Sequence, residues 1–136
     1  MKKASISFSI NNYHQAKEVI ESSKILKFKP VLYIKYYLIN GFGIDWMINL
    51  KNLLNSEFSS NSFKFYVNAR YDYGLSILLA NNKIDFIKLN SNSIILKKIT
   101  QICKKNRVIL NPSFRIIDLS NIKNIHNKII KIYSSR

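Results

Sequence analysis

The sequence predicts an α/β fold: a parallel sheet of about five βα units followed by a basic C-terminal helix. Two observations predict it. Short apolar or alternating runs are separated by longer runs whose apolar residues recur at helical spacing. Strands that alternate with helices in this way imply a parallel sheet with right-handed crossovers. The 136 residues, 47% of them apolar, suffice for one domain with its own core and exclude a disordered chain. Residues 1–136 read as that single domain, with no low-complexity segment and no interdomain linker.

Ala4–Ile10 alternates serine with apolar residues, the period of a strand. Asn11 and Asn12 offer a cap for a helix over Tyr13–Leu26, in which Ala16, Val19, Ile20 and Ser23 share a face. Pro30 opens the second strand, Val31–Tyr36, at a position where a missing N–H is tolerated. Asn40-Gly41-Phe42-Gly43 reads as a loop, its lone G-x-G permitting a tight turn rather than signalling a dinucleotide. Trp46, Met47, Leu50, Leu53 and Leu54 stripe a helix from about Ile44 to Phe58, and Ser59–Ser62 is a polar linker. Phe63–Asn68 is the third strand, and Tyr73–Asn81 the third helix with Asp72 at its cap. Ile84–Leu89 is a fourth strand. Asn92 or Ser93 caps a fourth helix through Ile95, Ile99 and Ile102, with Lys104, Lys105 and Arg107 around its last turn. Val108–Leu110 is a short fifth strand, stopped by Asn111-Pro112. Residues 115–136 read as a helical tail with Ile125, Ile129, Ile130 and Tyr133 on one face and lysines opposite.

The formal net charge is +15, which attracts nucleic acid, anionic membrane or acidic partners without specifying any of them. The lysines are spread along the chain, and a Lys-, Asn- and Ile-rich composition also follows from A/T-rich codons. Aromatic and basic residues interleave in Tyr33–Tyr37 and Phe63–Tyr73, a composition used for stacking on single-stranded nucleic acid. In parallel strands the same aromatics serve as core. No apolar stretch reaches the ~18 residues that cross a bilayer, and the N-terminus lacks a continuous apolar run, so no membrane insertion and a cytoplasmic location are expected. Cys103 is the only cysteine, which excludes an internal disulfide and a cysteine metal cage. It sits in a helix without a nearby His or Asp to activate it. His14 and His126 lie far apart in sequence, each an exposed polar residue of a helix. Asp45, Asp72, Asp85 and Asp118 are isolated, and no cofactor or metal is expected. Asp72 and Arg70, just past the third strand, are the weak candidates for chemistry, because α/β barrels keep their active sites at that end.

The stretch from Ser62 to Asn90, SFKFYVNARYDYGLSILLANNKIDFIKLN, has a strand–helix–strand layout. It resembles, without a gap, the part of a class II (zinc-dependent) fructose-bisphosphate aldolase that reads V-x-L-H-L-D-H-G, a helix, then A-G-F-T-S-V-M-I-D. Phe8-Ser9-Ile10-Asn11-Asn12 is similar to that family's A-F-N-V-N-N opening, and Pro30-Val31-Leu32-Tyr33 to its P-V-I-L second strand. Phe42-Gly43 sits where the family turns into its next helix. Asn92–Asn106 with Val108-Ile109-Leu110 is similar to N-I-x-x-T-K-x-V-V-x-x-A-H followed by V-x-V-E-A-E. The resemblance covers about residues 5–114. It implies the first four or five βα units of an eight-stranded barrel, a half TIM barrel with a helical tail.

The resemblance also implies where chemistry would sit, and there this chain departs. In the family a metal ion polarises a carbonyl and an aspartate beside a zinc-binding His handles protons. Asn68 stands at the aspartate and Ala69 at the His; the first cannot accept a proton at neutral pH and the second cannot bind metal. Tyr36 matches the second-strand serine, Ser9 the first-strand asparagine, and Asn111 and Ser113 lie near the fifth-strand acidic pair. The expectation is a non-catalytic aldolase-like protein with a structural or binding and assembly role. The alternatives are a basic module for nucleic acid or anions, and a phosphosugar-related lyase of altered chemistry at Asp72 and Arg70. A half barrel would leave Ala4–Ile10 and Val108–Leu110 as unpaired edges, and Val31, Tyr33, Phe65, Val67, Ile87 and Leu89 on an uncovered inner face. A homo-oligomer or a protein partner would cover them.

Overall fold

The computed structural model describes residues 5–134. Its elements, in chain order, are β1 (Ser5–Ser9), α1 (Tyr13–Leu26), β2 (Val31–Ile34), α2 (Tyr36–Phe42), α3 (Ile44–Glu57) and β3 (Lys64–Asn68). Then come α4 (Tyr73–Asn81), β4 (Phe86–Lys88), α5 (Ser93–Lys105), β5 (Ile109–Leu110), β6 (Phe114–Asp118) and α6 (Ile125–Ser134). The strands form one six-stranded sheet in the order β5-β4-β3-β2-β1-β6, and every pair is parallel. The α/β class and the parallel sheet of a partial barrel are therefore as the sequence predicts, with one strand more.

That extra strand corrects two expectations. Residues 115–118, assigned to a helical tail, continue a strand from Phe114 that pairs with β1 from Ser5↔Phe114 to Ser9↔Asp118. Their side chains are largely exposed, so the burial rhythm that betrays a strand is missing and only pairing with a distant partner decides it. The expected strand at Ala4–Ile10 is consequently an interior strand and not an edge; Ala4 itself lies outside the described residues, as do residues 135 and 136 of the tail. The edges are β5 and β6. A third correction concerns 36–42, expected as the end of β2 and a loop. They form a short helix that buries Leu38 and Ile39 and carries Gly41 within it. Gly43, at φ 88°, is the break between α2 and α3, a conformation open to glycine and strained for other residues.

β5 and β6 lie at opposite edges, yet only Asn111, Pro112 and Ser113 separate Leu110 from Phe114. Four Cα steps reach at most ~15 Å, whereas five strand spacings of ~4.8 Å hold the edges of a flat sheet ~24 Å apart. The sheet must curl. Its curl shows inside the concave face, where Phe86 of β4 meets Phe114 of β6 edge-to-face at 4.9 Å between ring centroids. Tyr66 touches both Tyr33 (5.1 Å) and Phe114 (5.5 Å). With Val31 these rings form a small inner core. Strand alternation sends Phe65, Val67, Ile87 and Leu89 the other way, into the main core beneath the helices, so the inner face is narrower and better filled than the sequence suggests.

The starts of α1, α4 and α5 are capped by side chains, whereas those of α2 and α3 are not. Asn12, Asp72 and Asn92 each accept from the backbone N–H three residues on, all at 2.9 Å, worth ~1 kcal/mol apiece. α6 returns to α1, burying Ile125 and Ile129 and stacking Tyr133 on Phe28 at 4.1 Å. No described helix is long and apolar enough to cross a membrane.

Candidate functional site

Parallel strands joined by helices present all their C-terminal ends on one side, and the residues just beyond those ends form a mouth. β3 delivers Asn68 to the inner side. Its Nδ2 donates to the Tyr33 hydroxyl at 2.8 Å and its Oδ1 accepts from the Arg70 N–H at 2.8 Å. Ala69 points the opposite way and is fully buried in the helix-side core. Arg70 follows at φ 51°, left-handed backbone that costs a non-glycine residue about 1 kcal/mol. Its guanidinium lies over the Tyr36 ring at 5.5 Å. Tyr36, Arg70, Tyr71 and Asp72 line a shallow depression of about 370 Å³. A second depression of about 360 Å³ shares Tyr36 and Asp72 and runs on between α2 and α4 to Leu78.

Opposite, Lys35 leaves the end of β2 and crosses β1 to reach β6. Its Nζ donates to Ser120 Oγ at 2.8 Å, Asp118 Oδ1 at 3.3 Å and Asn11 Oδ1 at 3.4 Å. Hydrogen bonds from the Ser120 hydroxyl and backbone N–H, joined by Lys35, hold the Asp118 carboxyl below the usual aspartate range. Beneath this clasp the buried hydroxyls of Ser7 and Ser9 have no hydrogen-bond partner. Tyr66, deeper in the concave face, has its hydroxyl pushed up to about 12 by burial and by neighbouring Tyr33.

No family model and no curated protein matches this chain. Among solved structures it is similar to the crystal structure of a protein assigned as a fructose-1,6-biphosphate aldolase from Coccidioides immitis, with a TM-score of 0.62 at 10% identity. The chain has an aldolase-like fold. The match covers 79% of this chain and 45% of the other, so the chain spans under half the length of that protein. At this identity the likeness concerns the fold alone.

On this aldolase-like mouth the residues singled out in the sequence divide. Asn68, Arg70, Tyr36 and Asp72 come together, while Ala69 turns away into the core. Asp72 holds the N-terminus of α4. Asn111 stands apart on the far edge, where its amide donates to Leu89 O and accepts from Leu89 N, extending the β4–β5 ladder with a side chain. No set of three or more His, Cys, Asp or Glu side chains suited to a metal ion occurs among the described residues. An alanine, and an asparagine amide committed to Tyr33, do not fit the zinc that the resemblance implies.

His14 is exposed and faces Glu18 at 3.4 Å. His126 is not exposed as expected: it is half-buried, with Nδ1 2.8 Å from the buried Ser22 hydroxyl, because α6 packs on α1. Cys103 is buried, and burial pushes its thiol up, away from the reactive thiolate. Asp85 accepts from the Phe65 N–H at 3.0 Å. Sequence reasoning missed the Lys35–Asp118–Ser120–Asn11 clasp. Its signal was faint: a lysine one residue past β2 and an aspartate ending a strand that was itself unrecognised.

Proposed function

We propose that this chain is a non-catalytic class II aldolase-like domain with a binding and assembly role. The observation that supports it is the end of β3. Where the resemblance puts a proton-handling carboxylate and a metal ligand, Asn68 is locked to Tyr33 and Ala69 is buried on the wrong face. Nothing nearby takes over. Lys35 and Asp118 neutralise each other, and Asp72 gives one carboxylate oxygen to a helix end, which favours capping over proton transfer. The assembly part rests on β6, a five-residue strand with a free edge and an exposed Ile116.

The test is direct. Purified protein should show no retro-aldol cleavage of fructose 1,6-bisphosphate with or without added zinc, and no stoichiometric zinc by metal analysis. One tightly held zinc per chain, or zinc-dependent cleavage, overturns the reading.

A further inference from the structure

The positive charge is unevenly placed. From Phe86 to Ile117 there is no Asp or Glu, and residues 86–136 hold eleven Lys and Arg against the single acid Asp118. That segment thus carries +10 of the +15. On α5, Lys97, Lys98, Lys104 and Lys105 are exposed while Ile99 and Cys103 are buried, so the helix turns a cationic side outward along ~12 Å between Lys97 and Lys105. None of the ion pairs among the described residues reaches α5. A solvated face of ordinary composition would mix in acids; this one has none.

A second, independent feature lies on the neighbouring element: α4 packs against α5, and around the start of α4 Tyr71 is 75% and Tyr73 39% exposed. Tyr71 stands beside Arg70 on the rim of the depression described above. Tyrosines in the interior of this protein are packed ring to ring, as Tyr33 and Tyr66 are; these two offer their rings to solvent.

We propose that the α4–α5 face binds single-stranded nucleic acid, with the α5 lysines tracking phosphates and Tyr71 and Tyr73 stacking on unpaired bases. Exposed aromatic rings select unpaired bases, whose π-faces are free, over a duplex, whose bases already stack. Lysines spaced along a helix match a chain of phosphates and release its counterions. The inference goes beyond the non-catalytic reading and uses none of Asn68, Ala69 or Asp72.

Fluorescence anisotropy with a labelled 20-nucleotide single strand, at several salt concentrations, tests it. Changing Lys97, Lys98, Lys104 and Lys105 to Gln should weaken binding at least tenfold and lower the slope of log affinity on log salt by about two to three. Tyr71→Ala with Tyr73→Ala should weaken it about tenfold with the slope unchanged. The control removes the same charge elsewhere, with Lys24, Lys27, Lys29 and Lys51 changed to Gln, and should weaken binding less than the α5 set with a smaller change in slope. Circular dichroism checks that each variant is folded. The proposal is overturned if the control set weakens binding as much as the α5 set, if the tyrosine pair has no effect, or if the strand does not bind. Tighter binding to duplex, or to phosphatidylserine vesicles, also overturns it. Retro-aldol activity is measured separately, so failure of this proposal leaves the catalytic question untouched.

Discussion

Asp72 illustrates how one side chain can look chemical and act structurally. It lies at a strand mouth among Arg70, Tyr36 and Tyr71, yet its Oδ1 accepts from the Leu75 N–H at 2.9 Å. Asp72→Asn should therefore change stability by only a few tenths of a kcal/mol, while Asp72→Ala should cost about 1 kcal/mol in urea unfolding. A ligand or activity lost in Asp72→Asn at unchanged stability would assign the carboxylate a function instead. Caps were legible in the sequence because they are local: Asn12, Asp72 and Asn92 precede apolar helical runs and bond three residues ahead. The Asn68–Tyr33 bond was not. It joins neighbouring strands, and only the register that sets Tyr33 beside Tyr66 carries Asn68 within reach.

Among the elements, α1 and α4 have the boundaries that periodicity and caps predict, Tyr13–Leu26 and Tyr73–Asn81. The errors fall on short pieces whose identity depends on neighbours. α2 is seven residues long, marginal on its own, and exists by burying Leu38 and Ile39. β5 is two residues, and its ladder is lengthened by the side chain of Asn111, held at φ 52°. Asparagine tolerates that left-handed conformation and its amide supplies both a donor and an acceptor to Leu89. Asn111→Ala should cost about 2 kcal/mol, from two lost hydrogen bonds and added backbone strain. Asn111→Gly, which relaxes the backbone, should recover part of this. Chemical denaturation of the two variants checks the order; equal stability of Asn111→Ala and the parent would remove the ladder role.

At the scale of the whole molecule, the main difference from expectation is that the chain closes much of its own concavity. Phe114 arrives from one edge of the sheet and lands on Phe86 and Tyr66 near the other. The strong parallel pattern was legible because apolar runs and helical stripes alternate without interruption, but the sheet order was not, since nothing in 114–118 names β1 as its neighbour. Self-association therefore has less apolar surface to cover than an open half barrel would offer, and the free edge of β6 becomes its natural route. Sedimentation at micromolar concentration should show a dimer, favoured as salt rises, because screening weakens repulsion between two copies of charge +15. A monomer whose mass does not depend on concentration or salt would eliminate the self-association.

The pairing of β1 with β6 has a consequence for how the molecule is made. A ribosome delivering roughly 5–20 residues per second exposes Ser5–Ser9 many seconds before Phe114–Asp118 leave the tunnel to meet them. During that interval β2 can zip onto one side of β1 while the other side waits, hydrogen-bonding groups open to any passing strand. The serines at positions 5, 7 and 9 face inward on that strand, where apolar residues would make the waiting segment sticky. The Ser7 and Ser9 hydroxyls left without a hydrogen-bond partner in the finished molecule are what a polar waiting edge costs once the last strand has arrived.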